Sequence, residues 1–85
     1  MKISCVLLLK NMISSFIFKD EIMRDIKREV GKVGRIVKMV DYEKNVYIEF
    51  ERVEYAQIAY LLIERRKFEG KMVEMVFYDP IHFAD

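Results

Sequence analysis

Arg35-Ile36-Val37-Lys38-Met39-Val40-Asp41-Tyr42-Glu43-Lys44-Asn45-Val46-Tyr47-Ile48-Glu49-Phe50 is the stretch that decides the fold. Its first half is rich in residues that favour extended backbone, Ile36, Val37, Met39 and Val40. Glu43-Lys44-Asn45 is a short polar break. Beyond it Val46, Ile48 and Phe50 alternate with Asn45, Tyr47 and Glu49, the period of a strand with one buried face. Two strands joined by so short a break run antiparallel, so 35–50 is a hairpin.

Outward from the hairpin the pattern changes period. Ile22, Ile26, Val30 and Val33 recur at helical spacing and line one face. Asp20 is the expected N-cap, Glu21 sits in the first turn, and Gly31 and Gly34 are stop signals. Further upstream, Cys5-Val6-Leu7-Leu8-Leu9 is a continuous apolar run that fits a central strand buried on both faces. Residues 12–19 connect the two, with Phe16, Ile17 and Phe18 expected to pack onto the domain. Downstream, 53–65 predicts a second helix with Val53, Ala56, Tyr60 and Ile63 as its stripe. Lys71 to Tyr78 predicts the last strand, stopped by Asp79-Pro80. The order β-α-β-β-α-β predicts an α+β, ferredoxin-like fold: a four-stranded antiparallel sheet with two helices on one face.

Composition narrows what such a domain does. Eighty-five residues, 53% hydrophobic, predict a single domain over 1–85. A net charge of +1, from 15 basic and 14 acidic side chains, argues against coating nucleic acid by charge alone. Cys5 is the single cysteine, so no intramolecular disulfide is expected and a buried thiol is. The N-terminal apolar run is broken by Lys10 and lacks a cleavage site, and no stretch reaches the ~20 residues of a membrane span. A soluble, intracellular protein with no membrane contact is expected.

Nothing points to catalysis. His82 stands alone near Asp79 and Asp85, and the three glycines form no phosphate loop. Acylphosphatase shares the element order but needs an arginine after its first strand, and Lys10 to Lys19 contains neither arginine nor glycine. The expectation is no enzyme, no metal and no cofactor.

The element order resembles an RNA-recognition motif, whose third strand carries the signature K/R-G-F/Y-G/A-F-V-x-F/Y. The corresponding octet here is Glu43 to Phe50. Its second half matches, but an acid opens it, Lys44 replaces the glycine and Asn45 replaces a stacking aromatic. On the first strand Leu7-Leu8-Leu9-Lys10-Asn11-Met12 matches the partner motif, with Leu8 in the other aromatic's place. A stacked base is worth about 1–3 kcal/mol, so losing two platforms predicts weak or no RNA binding. Tyr47 and Lys10 are the candidate RNA contacts, with Lys38 and Lys44 as further phosphate partners.

Two other features stand on the helical side. Glu21, Asp25 and Glu29 are spaced by four, so they share one helix stripe beside the apolar one. Taken alone this is ordinary solvated surface, with Arg24 and Arg28 close by. Arg65-Arg66-Lys67-Phe68-Glu69-Gly70 sets a phenylalanine among charges, as a core plug or as a presented contact. In combination they resemble the U2-auxiliary-factor homology motif, the peptide-binding relative of the RNA-recognition motif found in splicing factors. The resemblance covers nearly the whole chain: Cys5 to Met12 as first strand, Asp20 to Gly34 as acidic helix, Asn45 to Phe50 as degenerate third strand, Arg66-Lys67-Phe68 as the Arg-x-Phe hallmark, and Tyr78-Asp79-Pro80 with Phe83 as the end.

That resemblance implies a partner and a mechanism. A tryptophan from a basic peptide of another splicing factor enters a pocket between the helices. Phe68 meets the indole edge-on and Arg66 covers it, paired with Glu29, with Lys67 in the same loop. Glu21, Asp25 and Glu29 attract the peptide's cations. Nuclear localisation and a role in pre-mRNA splicing, at 3′ splice-site recognition, are implied with it; RNA binding on the sheet is the alternative. The chain departs from the family in its short loop between strands two and three, in Arg24 and Arg28, and in an apolar stripe Tyr55, Ile58 and Leu62. That stripe is a pocket wall, a protein contact or core extension; a monomer is expected, with a homodimer on it as the alternative.

Overall fold

In the computed structural model, residues 3–13, 18–65, 67–68 and 71–79 are described. They form β1 (Val6–Lys10), α1 (Lys19–Gly31), β2 (Ile36–Tyr42), β3 (Asn45–Phe50), α2 (Val53–Glu64), β4 (Lys67–Phe68), β5 (Lys71–Met72) and β6 (Glu74–Tyr78). The sheet order is β2-β3-β1-β6, with every neighbour antiparallel. The expected fold is therefore the observed one, with β1 and β3 central and a separate β4–β5 hairpin added.

Each central strand shows why its sequence reads as it does. Leu7 and Leu9 join Val46, Ile48 and Phe50 in the core beneath α1 and α2, all fully buried or nearly so. A buried side chain of this kind contributes about 1.5–3 kcal/mol. Val6 and Leu8 point to the other face and are buried too, so β1 is apolar on both sides.

The hairpin turn is tighter than the polar break suggests. Asn45 already belongs to β3, leaving Glu43 and Lys44 as a two-residue turn with φ of 48° and 69°. This is the left-handed pair that matches strand twist and that glycine or asparagine fill most easily. Contacts outside the turn hold it: the Ile13 N–H donates to the Lys44 carbonyl at 3.0 Å, and the Asn11 N–H to Asn45 Oδ1 at 3.0 Å.

Several expectations are corrected at element ends. α1 begins at Lys19, with Phe18 as a cap that makes no side-chain bond; Asp20 lies inside the first turn. The start is two residues earlier than expected, and Lys19 Nζ pairs there with Asp41 on β2 at 3.5 Å. Phe18 is 52% exposed rather than packed, and Phe16 and Ile17 lie outside the described residues. Cys5 is half-buried, its thiol pKa raised by burial and then by nearby Glu49. On α2 the buried stripe is Ala56, Ala59 and Ile63, while Val53 is exposed at the helix start. Tyr60 stacks on Phe77 with ring centres 5.1 Å apart and an 11° interplanar angle. The last strand of the main sheet starts at Glu74, because Lys71 and Met72 pair back with Phe68 and Lys67.

Candidate functional site

The outer face of the sheet is the first candidate. Tyr47 of β3 and Tyr78 of β6 stand on either side of β1, in register with Leu8 and Val6 respectively. Strands lie ~4.8 Å apart, so rings from β3 and β6 meet only by reaching across β1. They do meet, edge to face, with centroids 5.1 Å apart and planes at 76°. The two tyrosines thereby roof over β1, which accounts for Leu8 being only 8% exposed. Tyr78 has no place among the expected site residues, although the outward alternation of Glu74, Val76 and Tyr78 carries the signal.

The two positions where stacking aromatics are missing have other tasks. Leu8 is interior to the roofed patch, and the Asn45 carboxamide holds the turn through Asn11. Lys10 sits at the end of β1 opposite Glu74, and Lys38 lies opposite Glu49, so an acid stands across from each of these cations. Lys44 is exposed in the turn.

The helical side is the second candidate. Glu21 and Asp25 are exposed along α1, and Glu29 is half-buried one turn further. Arg28 Nη2 donates to Asp25 Oδ1 at 2.7 Å, and Lys32 Nζ lies 3.8 Å from Glu29 Oε1. Both pairs run between residues three apart on the helix, so the acids are partly neutralised by their own element. Arg66 and the side chains of Lys67 and Phe68 lie outside the described residues; the backbones of Lys67 and Phe68 pair with Met72 and Lys71. The pairing therefore gives Lys67 and Phe68 a strand backbone where a plain loop is expected.

Between the helices, Tyr55 of α2 packs against the core and lies against Gly34. A Cβ at Gly34 would fall 2.4 Å from Tyr55 Cγ, so only glycine admits the ring there. Tyr55 is thus core extension and not an open pocket wall. Among the described residues no group of His, Cys, Asp and Glu gathers to hold a metal, and no helix is long and apolar enough to cross a membrane.

No protein-family model matches the chain. Splicing factor 45 of Homo sapiens is 31% identical over 83 residues, covering 87% of this chain and 21% of that protein. A U2af large-subunit splicing factor of Triticum aestivum is 32% identical over 77 residues, covering 78% of this chain and 14% of that protein. The Nab3 RNA-recognition motif, whose solved structure concerns cis element recognition of non-polyadenylated RNAs, superposes with a TM-score of 0.72 at 16% identity over 87% of this chain and 93% of that one.

The chain is an RNA-recognition-motif-like domain similar to the U2-auxiliary-factor homology motif. The fold rests on the Nab3 superposition, and the relatives in sequence include splicing factors alongside a DNA-damage-repair/toleration protein of Arabidopsis thaliana, 28% identical over 93% of this chain and 23% of that protein. The domain spans between 14% and 23% of the length of the curated relatives it matches.

Proposed function

We propose that this domain is a non-enzymatic module that binds a tryptophan-containing basic peptide of another splicing factor, in the nucleus, during 3′ splice-site recognition. The observation that carries the reading is the closure of the sheet face. Leu8 and Asn45 stand where bases would stack, one buried and the other tied to Asn11, and Tyr47 is turned edge-on to Tyr78. On the helical side, in contrast, Glu21 and Asp25 are exposed along one stripe of α1, where a basic ligand would compete with Arg28 for Asp25. A tryptophan anchor supplies most of the affinity of such an interface, and surface acids set register and association rate.

A second reading has its own support. Tyr47 and Tyr78 form an aromatic pair on the sheet face, with Lys10 and Lys38 on neighbouring strands as flanking cations. Weak, salt-sensitive contact with single-stranded RNA fits that arrangement.

Calorimetric titration of the chain with an Arg/Lys-rich peptide holding one tryptophan, and in parallel with single-stranded RNA, tests both. The expected result is saturable peptide binding that a tryptophan-to-alanine peptide abolishes. Phe68→Ala removes that binding and leaves the thermal unfolding of the domain in place. Selective RNA binding that survives moderate salt and depends on Tyr47, with no peptide response, overturns the peptide reading.

A further inference from the structure

The outward face of α2 has an unusual composition. Ala56, Ala59 and Ile63 point into the core. At 3.6 residues per turn, Glu54, Ile58, Leu61 and Arg65 fall within one narrow arc on the opposite side of the helix. This is where a surface helix is ordinarily polar. Ile58 and Leu61 are instead 53% and 56% exposed. They lie apart from the α1 side, which Tyr55 marks by its approach to Gly34, and from the β6 side, which Tyr60 marks by its stack on Phe77.

The order of residues along this arc is the informative part. It reads acid, apolar, apolar, base, and it is symmetric about the midpoint between Ala59 and Tyr60. Turned end over end about a two-fold axis at that level, the arc meets a copy of itself with Glu54 beside the partner's Arg65. Ile58 comes level with the partner's Leu61, and both contacts occur twice. A parallel arrangement would set Glu54 against Glu54 and Arg65 against Arg65. Neither Glu54 nor Arg65 forms an ion pair with another described residue. The helix also carries its acid near the N-terminus and its base at the C-terminus, the placement that its own dipole favours.

We propose that two copies of this chain associate through the outward face of α2, with the helices antiparallel and Glu54–Arg65 pairs closing both ends of an Ile58–Leu61 seam. One helix face on each side makes a small interface, so the association is weak and concentration-dependent. The surface is separate from the α1 acids, so it does not depend on the peptide reading.

Sedimentation equilibrium of the 85-residue chain from about 10 μM to about 1 mM, a range set by the weakness of small interfaces, tests the proposal. The weight-average mass is expected to rise from 10.3 kDa toward twice that value. Glu54→Arg and Arg65→Glu each place like charges at both ends, and each alone is expected to weaken self-association by roughly tenfold or more. An equimolar mixture of these two variants restores complementarity at both ends and is expected to associate. Leu61→Ser is expected to abolish association while helical circular dichroism is retained. A mass that stays at 10.3 kDa throughout, a dimer indifferent to either charge reversal, or a mixture that stays monomeric while the unsubstituted chain dimerises would each overturn the proposal.

Discussion

α1 seats Ile22, Ile26 and Val30 in the core and turns Arg24, Asp25 and Lys27 to solvent; α2 seats Ala56, Ala59 and Ile63 and turns Ile58 and Leu61 outward. α1 buries three branched side chains, whereas α2 buries two alanines and one isoleucine and leaves two large aliphatic residues outside. Two alanines let the α2 backbone come close to β1, β3 and β6, so this helix meets the sheet with little side chain between. α1 reaches the core through longer side chains. The lesson is that burial and function are divided differently between them: α1 holds the core together and carries charge, and α2 fits closely and carries apolar surface.

The largest expected effect breaks the comparison on the α1 side. Ile26→Ala leaves a cavity under a fully buried position and should cost about 2–5 kcal/mol, read as a fall in the urea midpoint. The helix junction should fail by enlargement instead. Gly34→Ala drives a methyl into the Tyr55 ring and should cost about 1–3 kcal/mol. In a Tyr55→Ala background the same change should cost far less, so the two substitutions should be clearly non-additive. Equal costs in both backgrounds would mean that the ring swings aside freely.

Smaller effects sharpen the division between charge and apolar surface. Asp25→Asn removes the pair with Arg28 and should lower stability by about 0.2–0.5 kcal/mol. It should also slow peptide association two- to threefold, on the order expected for one exposed charge, and flatten the salt dependence in stopped-flow traces. Ile58→Ser should be the mildest. At concentrations where the chain is monomeric its unfolding should shift by no more than about 0.5 kcal/mol, because the side chain is half exposed and stands outside the core.

Much of this is legible in the residues alone. The alternation of Val46, Ile48 and Phe50 and the four-residue spacing of Ile22, Ile26 and Val30 correspond to the buried faces observed. Other features are not legible, for identifiable reasons. Phe18 looks like core by hydropathy, yet it is the cap residue of α1, ahead of the buried stripe, and stands exposed. Val53 completes a plausible stripe with Ala56, but it is the first residue of α2 and lies beyond the sheet's cover. The β4–β5 hairpin is too short to show a period, so Lys71 reads as part of the last strand.

The candidate surfaces divide in the same way. Helical geometry places Glu21, Asp25 and Glu29 on one stripe whatever the fold, and likewise Glu54, Ile58, Leu61 and Arg65, because neighbours three and four apart share a face. The sequence by itself therefore determines the order of elements, the buried faces of its longer elements and the charge pattern along each helix. Contacts between residues distant in the chain belong to the tertiary structure alone. Tyr47 meets Tyr78 across β1, Asn45 bonds to Asn11, and Tyr55 closes on Gly34, each pair far apart in the chain. No local periodicity records such a meeting. It exists only once strand order and helix packing have set which side chains stand within a few ångströms of one another.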